Sequence, residues 1–140
     1  MDTTILSDLP WLQILVATIA YFAMGAIWYS FLFQKKWIKY QNIDMNNPDA
    51  KKGTGTIMAF SFVWFFIICV GLAILISKMG LTGGAMSGVK LGLTTGMFFS
   101  AAAISITYLY LQKPLGLHFI DGLYHVIGQI IAAVILCEWQ

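Results

Sequence analysis

Four apolar runs, each close to the length that crosses a bilayer, set what this 140-residue chain can fold into. They fall at about residues 11–33, 56–76, 88–111 and 118–137. A hydrocarbon core ~30 Å thick takes ~20 helical residues to cross. The runs are continuous rather than alternating, and lipid offers the backbone no partners, so each is expected to be a helix that satisfies its own amides. The composition agrees: 59% of residues are hydrophobic and 10% charged, whereas soluble domains carry roughly 25% charged residues. The expected fold class is therefore all-α, an integral membrane protein with one four-span domain over residues 1–140.

Lysine placement gives the expected orientation, because cytoplasmic loops carry the excess of positive charge. Lys35, Lys36, Lys39, Lys51 and Lys52 lie in the loop 34–55, and Lys113 lies in the loop between spans three and four. Only Lys78 and Lys90 lie on the other side. The long loop is thus expected in the cytoplasm and both termini outside. The first run exceeds 20 residues and is preceded by Asp2 and Asp8 with no Lys or Arg, so a retained span is expected rather than a signal peptide. A net charge of +2 with no arginine excludes a nucleic-acid surface. Trp37, Ile38 and Tyr40 among lysines are expected to lie at the headgroup level, with the lysines on anionic lipid. Pro48 is expected to start a short helix that Gly53 stops. Cys69 and Cys137 read as small apolar fillers.

Span three carries Gly84, Gly88, Gly92, Gly96 and Ser100, each four residues apart. On a helix they form one stripe along which another backbone can approach closely. The spacing leaves open whether that backbone belongs to the same chain or to another copy. Gly128 and Ala132 in span four, and Ala17, Tyr21 and Gly25 in span one, offer matching small surfaces.

Span four is different in kind. Asp121, His125 and Gln129 stand at i, i+4 and i+8 and so share one face. Counted from His118 as the edge of the span, they lie ~5, ~10 and ~16 Å in, given a rise of 1.5 Å per residue. A carboxylate facing lipid costs a few kcal/mol, so this ladder is expected to turn inward. Three arrangements fit it. In one, Asp121 pairs with His125 and Gln129 reaches a Tyr, Ser or Thr of a neighbouring span. In another, the ladder lines a wet path for ions or protons. In the third, Asp121 and His125 contribute to a metal site, for which a single chain with two histidines, His118 and His125, has too few ligands. Ser30, Ser61, Ser100 and Ser105 are scattered and none sits in a nucleophile context, so no catalytic residue, metal or cofactor is expected. The end of span one, Trp28, Tyr29 and Ser30, comes to a similar depth and with Tyr124 is expected to form a cluster facing the ladder, with Tyr29 or Ser30 within reach of Asp121 or His125.

Two stretches carry a family resemblance: Gly25, Trp28, Tyr29, Ser30, Lys36 and Trp37, and then Asp121, Gly122, Tyr124 and His125. Through them the chain resembles a family of small bacterial membrane proteins catalogued as domain of unknown function 1761. The resemblance implies a four-span protein of a bacterial inner membrane and no particular activity. Phe31 stands where such sequences commonly have proline, and Asp121 where asparagine is frequent. The function expected from all of this is an oligomeric binding, assembly or scaffold-like membrane protein, a homo-oligomer in the lipid bilayer. The alternative is a small channel or proton-coupled transporter with a path lined by Asp121, His125 and Gln129. An enzyme is not expected, and the small molecule or ion concerned is left open.

Overall fold

The computed structural model describes residues 4–140, and Asp2 lies outside them. A short α1 (Thr4–Ser7) precedes α2 (Trp11–Ile27), which runs into a π-helical turn at Trp28–Leu32. The long loop folds into α3 (Gln34–Gln41) and a 3-10 turn at Pro48–Lys51. Then come α4 (Thr54–Met79), α5 (Gly84–Thr94), a second π-helical stretch (Thr95–Ala101), α6 (Ala102–Tyr110) and α7 (Leu115–Glu138). Among the described residues, four helical stretches are long and apolar enough to cross a membrane, and they coincide with the four apolar runs.

The helix ends differ from the expected ones for local reasons. The second span continues to Met79 because exposed Ser77 and Lys78 extend the helix until Gly80, at φ 59°, caps it in the left-handed region. The third starts at Gly84 because its first amides find an acceptor: Ala85 N–H donates to Glu138 Oε1 at 2.5 Å, so the last turn of α7 caps α5. The fourth starts at Leu115, directly after Pro114, whose φ of −65° and ψ of 148° end the preceding turn. In the loop, Asn47 caps the 3-10 turn by accepting from Asp49 N–H, and Gly53 at φ 77° separates that turn from α4.

The core sits around α7. In its most apolar stretch 56% of residues are buried, against 28, 22 and 17% in the first, second and third spans. The glycine stripe explains one of its faces. A Cβ placed at Gly88, Gly92 or Gly96 would come 2.5, 2.4 and 2.6 Å from the Cα of Val134, Ile130 and Val126. The stripe therefore lies on α7 of the same chain, antiparallel, with backbones too close for any side chain. Gly84 and Ser100, at its ends, meet Glu138 and Gln129 instead. A homo-oligomer cannot be argued from this stripe, because its partner is already present within the chain.

The second face of α7 meets α2 by a different device. The small positions in these two spans do not bring backbones together but receive aromatic rings. A Cβ on Gly128 would fall 1.9 Å from the Tyr21 ring, and one on Gly25 would fall 2.9 Å from the Tyr124 hydroxyl. Each tyrosine fills the notch that the other helix's glycine leaves. Tyr124 O–H then donates to Tyr21 O at 3.1 Å. The third face packs on α4 through buried Cys69, Leu72, Ala73 and Ile76, and both Cys69 and Cys137 are free thiols in the core.

The short α3 packs against the bundle through one face and exposes the other. Lys35, Lys36 and Lys39 are exposed, but Trp37 and Tyr40 turn toward the bundle. A Cβ on Gly116 would meet the Tyr40 ring at 2.3 Å, and Lys113 Nζ donates to Gln41 Oε1 at 3.1 Å. α3 is thus fastened beneath the start of α7.

Replacing Gly92 with alanine is expected to lower stability by about 1–3 kcal/mol, the usual cost of overpacking, read as thermal unfolding in detergent micelles. Gly71→Ala on α4, where no atom lies within 4 Å of the new Cβ, should instead stabilise by up to ~1 kcal/mol. A Gly92→Ala protein that keeps its unfolding midpoint but changes its association state would place the stripe between copies.

Candidate functional site

Asp121 lies two turns into α7 and is 6% exposed. Its carboxyl group is held from two directions. Tyr29, on the π-helical turn that ends the first span, donates its hydroxyl to Oδ1 at 2.6 Å. Tyr108, near the end of α6, donates to Oδ2. Asp121 does not pair with His125. Instead Tyr21 O–H and His125 Nδ1 share a 2.6 Å hydrogen bond, and Gln129 Nε2 donates to Ser100 Oγ at 2.5 Å. The ladder faces inward as its spacing requires, but its rungs bond to the first and third spans rather than to one another: Asp121 to both, His125 to the first and Gln129 to the third. The central place of α7 between those spans puts partners on both sides of it.

The π-helical turn at Trp28–Leu32 decides what the first span presents here. It widens the helix, so Phe33 N–H bonds back to Trp28 O at 2.9 Å, and such turns redirect side chains at functional positions. Trp28 is buried and donates from Nε1 to Ile120 O at 2.9 Å. Tyr29 turns to Asp121. Ser30 is exposed and joins neither Asp121 nor His125, which corrects the expectation for that residue. Tyr124, expected in the facing cluster, packs edge-on against Tyr29 with ring centroids 5.2 Å apart.

Around these groups lies an open cleft of about 390 Å³ on the loop side of the bundle. Tyr29, Trp37, Gln41, Thr107, Tyr108, Asp121 and His125 line it. Trp37 stands edge-to-face on Tyr29 at 5.6 Å. The two lower rungs of the ladder thus reach the cleft, while Gln129 is 2% exposed and sealed in a dry contact. Three participants escaped the sequence reading. Tyr21 looked like part of a packing surface and Trp37 like a headgroup anchor, and Tyr108 was not singled out at all. The available signal was depth: Tyr108 closes the third span on the side where Asp121 opens the fourth.

The histidines serve different surroundings. His118 lies in an outer groove with Met97, Phe98 and Ser105, where its Nε2 is buried without a hydrogen-bond partner. His125 faces the cleft. Among the described residues there is no group of three or more His, Cys, Asp or Glu that could hold a metal ion.

A family model described as a protein of unknown function, DUF1761, matches residues 12–137. The chain belongs to the DUF1761 family. No curated protein and no solved structure matches it. The two stretches that carry the likeness to DUF1761 proteins are some ninety residues apart in the chain, yet they meet here through Tyr29–Asp121, Tyr29–Tyr124 and Trp28–Tyr124.

Tyr29→Phe is expected to destabilise the protein by about 1.5–3 kcal/mol, the range for a hydrogen bond to a charged group. In an Asp121→Asn background that loss should shrink, as a double-mutant cycle of thermal unfolding would read. Strictly additive losses would show that the two groups do not interact. Ser30→Ala should leave stability within ~0.5 kcal/mol.

Proposed function

We propose that the protein is a membrane-embedded binding protein whose ligand site is the cleft at Asp121 and His125. One observation carries this reading: a carboxyl group, oriented by two phenols from two different spans, stands at the foot of an open cleft large enough for a small molecule. Protein structures seldom place such a group in a membrane span without a task. Its fixed partners describe a preorganised recognition group. Catalysis has less support, since Ser30 is exposed away from the site and Ser100 is engaged by Gln129. We infer from the lysine count that the loop side, and the cleft with it, faces the cytoplasm of a bacterial cell. A homo-oligomer, if formed, would use the outer face of α4, where Phe60, Val63, Trp64 and Ile67 are exposed.

The rival reading, a conduction path or proton-coupled carrier, draws on the Tyr21–His125 bond, which extends the polar chain inward from the cleft. Against a path through one chain stands the layer above it. Ile14, Ala17, Ala132, Ala133 and Leu136 are buried and apolar, and Thr18 spends its hydroxyl on Ile14 O of its own helix.

Thr107→Cys is expected to react with a charged, membrane-impermeant maleimide applied from the loop side, while Ala133→Cys remains unlabelled under the same conditions. An unreactive Thr107→Cys would mean a dry cleft and end the binding proposal. In proteoliposomes, proton flux should stay at the level of empty vesicles. A flux that disappears with His125→Ala would favour the carrier.

A further inference from the structure

The chemistry of the cleft also specifies a ligand class, and this step rests on the binding proposal above. Asp121 brings an acidic group whose bonded partners among the described residues are the hydroxyls of Tyr29 and Tyr108. No lysine side chain is bonded to it. Lys113, at the nearby start of the fourth span, is committed to Gln41. A carboxylate accepts about four hydrogen bonds, two at each oxygen, and each oxygen here receives one from a tyrosine. Acceptor capacity is left over at the foot of the cleft.

The walls match that excess. Tyr29, Trp37 and Tyr108 contribute three electron-rich rings, with Tyr29 and Trp37 set at 69° to one another so that they form a corner. Aromatic faces attract cations most strongly where water is scarce, and tryptophan does so best. Opposite them, His125 has Nδ1 tied to Tyr21, and Nε2 makes no hydrogen bond among the described residues. An anion would meet the carboxyl of Asp121 and the negative faces of the rings with no compensating positive group bonded there. A neutral apolar ligand would leave the spare acceptors of Asp121 unmatched in a desolvated place.

We infer that the cleft binds an organic ammonium ion, with the charged nitrogen at Asp121 and its carbon substituents against Tyr29, Trp37 and Tyr108. An ammonium group of this kind exists both as a free amine and as the headgroup of a zwitterionic phospholipid. The position of the cleft at the loop-side end of the bundle is open to either source.

The test uses the full chain in detergent, with Trp fluorescence and thermal unfolding as readouts. The probes are ethanolamine, choline, the neutral tert-butyl analogue of choline, and acetate. Saturable binding of either cation is expected, roughly tenfold tighter than the neutral analogue, a margin within the range for desolvated cation–π contact. Asp121→Asn should weaken it by tenfold or more while the protein stays folded, since an asparagine carbonyl still accepts from a tyrosine. Trp37→Leu, outside the buried core, should weaken it several-fold and provides a second variant independent of the ladder. Equal binding of the neutral analogue, or cation binding indifferent to both substitutions, overturns the cation assignment. Binding of acetate or of the neutral analogue that Trp37→Leu abolishes would overturn the ligand class yet leave the cleft as a binding site. If no probe binds and Thr107→Cys is unreactive, the binding proposal itself fails. Nanodiscs separate the two sources. A cation titration weakened in phosphatidylethanolamine discs relative to discs of an uncharged glycolipid, which match them in net charge, identifies the lipid headgroup as occupant, and identical titrations identify the free amine.

Discussion

A carboxyl group inside a lipid-embedded helix must be satisfied by protein, and much of this structure follows from where Asp121 finds its partners. Tyr29 comes from the end of the first span and Tyr108 from the end of the third. For both to arrive, α7 must lie between those spans rather than at the edge of the bundle. That position in turn demands close approach on each side. The glycines of α5 supply it on one side, with Cα-level contact at Val126, Ile130 and Val134, and the interlocked Tyr21–Gly128 and Tyr124–Gly25 notches supply it on the other. Without a hydrophobic drive between helices in lipid, such packing and hydrogen bonding are what hold spans together. The polar ladder and the small residues are two parts of one solution.

The ladder divides along its length. At Gln129 it is a dry fastening between α7 and the π-helical stretch of the third span, closed by a hydrogen bond to Ser100. At Asp121 and His125 it borders an opening. The two ends therefore have different surroundings, one closed and one open, although the sequence writes them as a single i, i+4, i+8 repeat. The π-helical turn at Trp28–Leu32 supports the open end by sending Trp28 and Tyr29 to α7 and leaving Ser30 outside. Where the family resemblance places a proline, Phe31 lies on the outer side of this turn, 82% exposed. Proline and a π-helical turn interrupt the same i to i−4 ladder, so either serves to break the helix there.

The sequence was most readable where one residue type has one physical consequence. Continuous apolar runs mean spans, and all four were found. A carboxyl group at helical spacing from a histidine and a glutamine means an inward face, and matching depth narrowed its partners to Tyr29 or Ser30 against Asp121 or His125, of which Tyr29–Asp121 is formed. Periodicity names a face but not its neighbour, which is why the stripe from Gly88 to Gly96 could not be assigned to its own chain. Tyrosine and tryptophan are ambiguous for a related reason: both suit a membrane interface and a buried polar site alike. Tyr108 and Trp37 were thus hidden in plain sight. Depth alone could not choose between Tyr29 and Ser30; the π-helical turn sends Tyr29 to α7 and leaves Ser30 exposed.

The order of the spans along the chain gives the central place of α7 a consequence for biogenesis. The helix that every other span packs against is the last of the four to be synthesised. Spans one to three must enter the bilayer while the groove along Gly88, Gly92 and Gly96 is still vacant and the hydroxyls of Tyr29 and Tyr108 have no carboxyl to meet. Even the first amide of α5 waits for Glu138, at the far end of α7, to be capped. The first two spans can already pair through Phe22 against Phe62 and Phe65, but the third span gains its main partner only when α7 arrives.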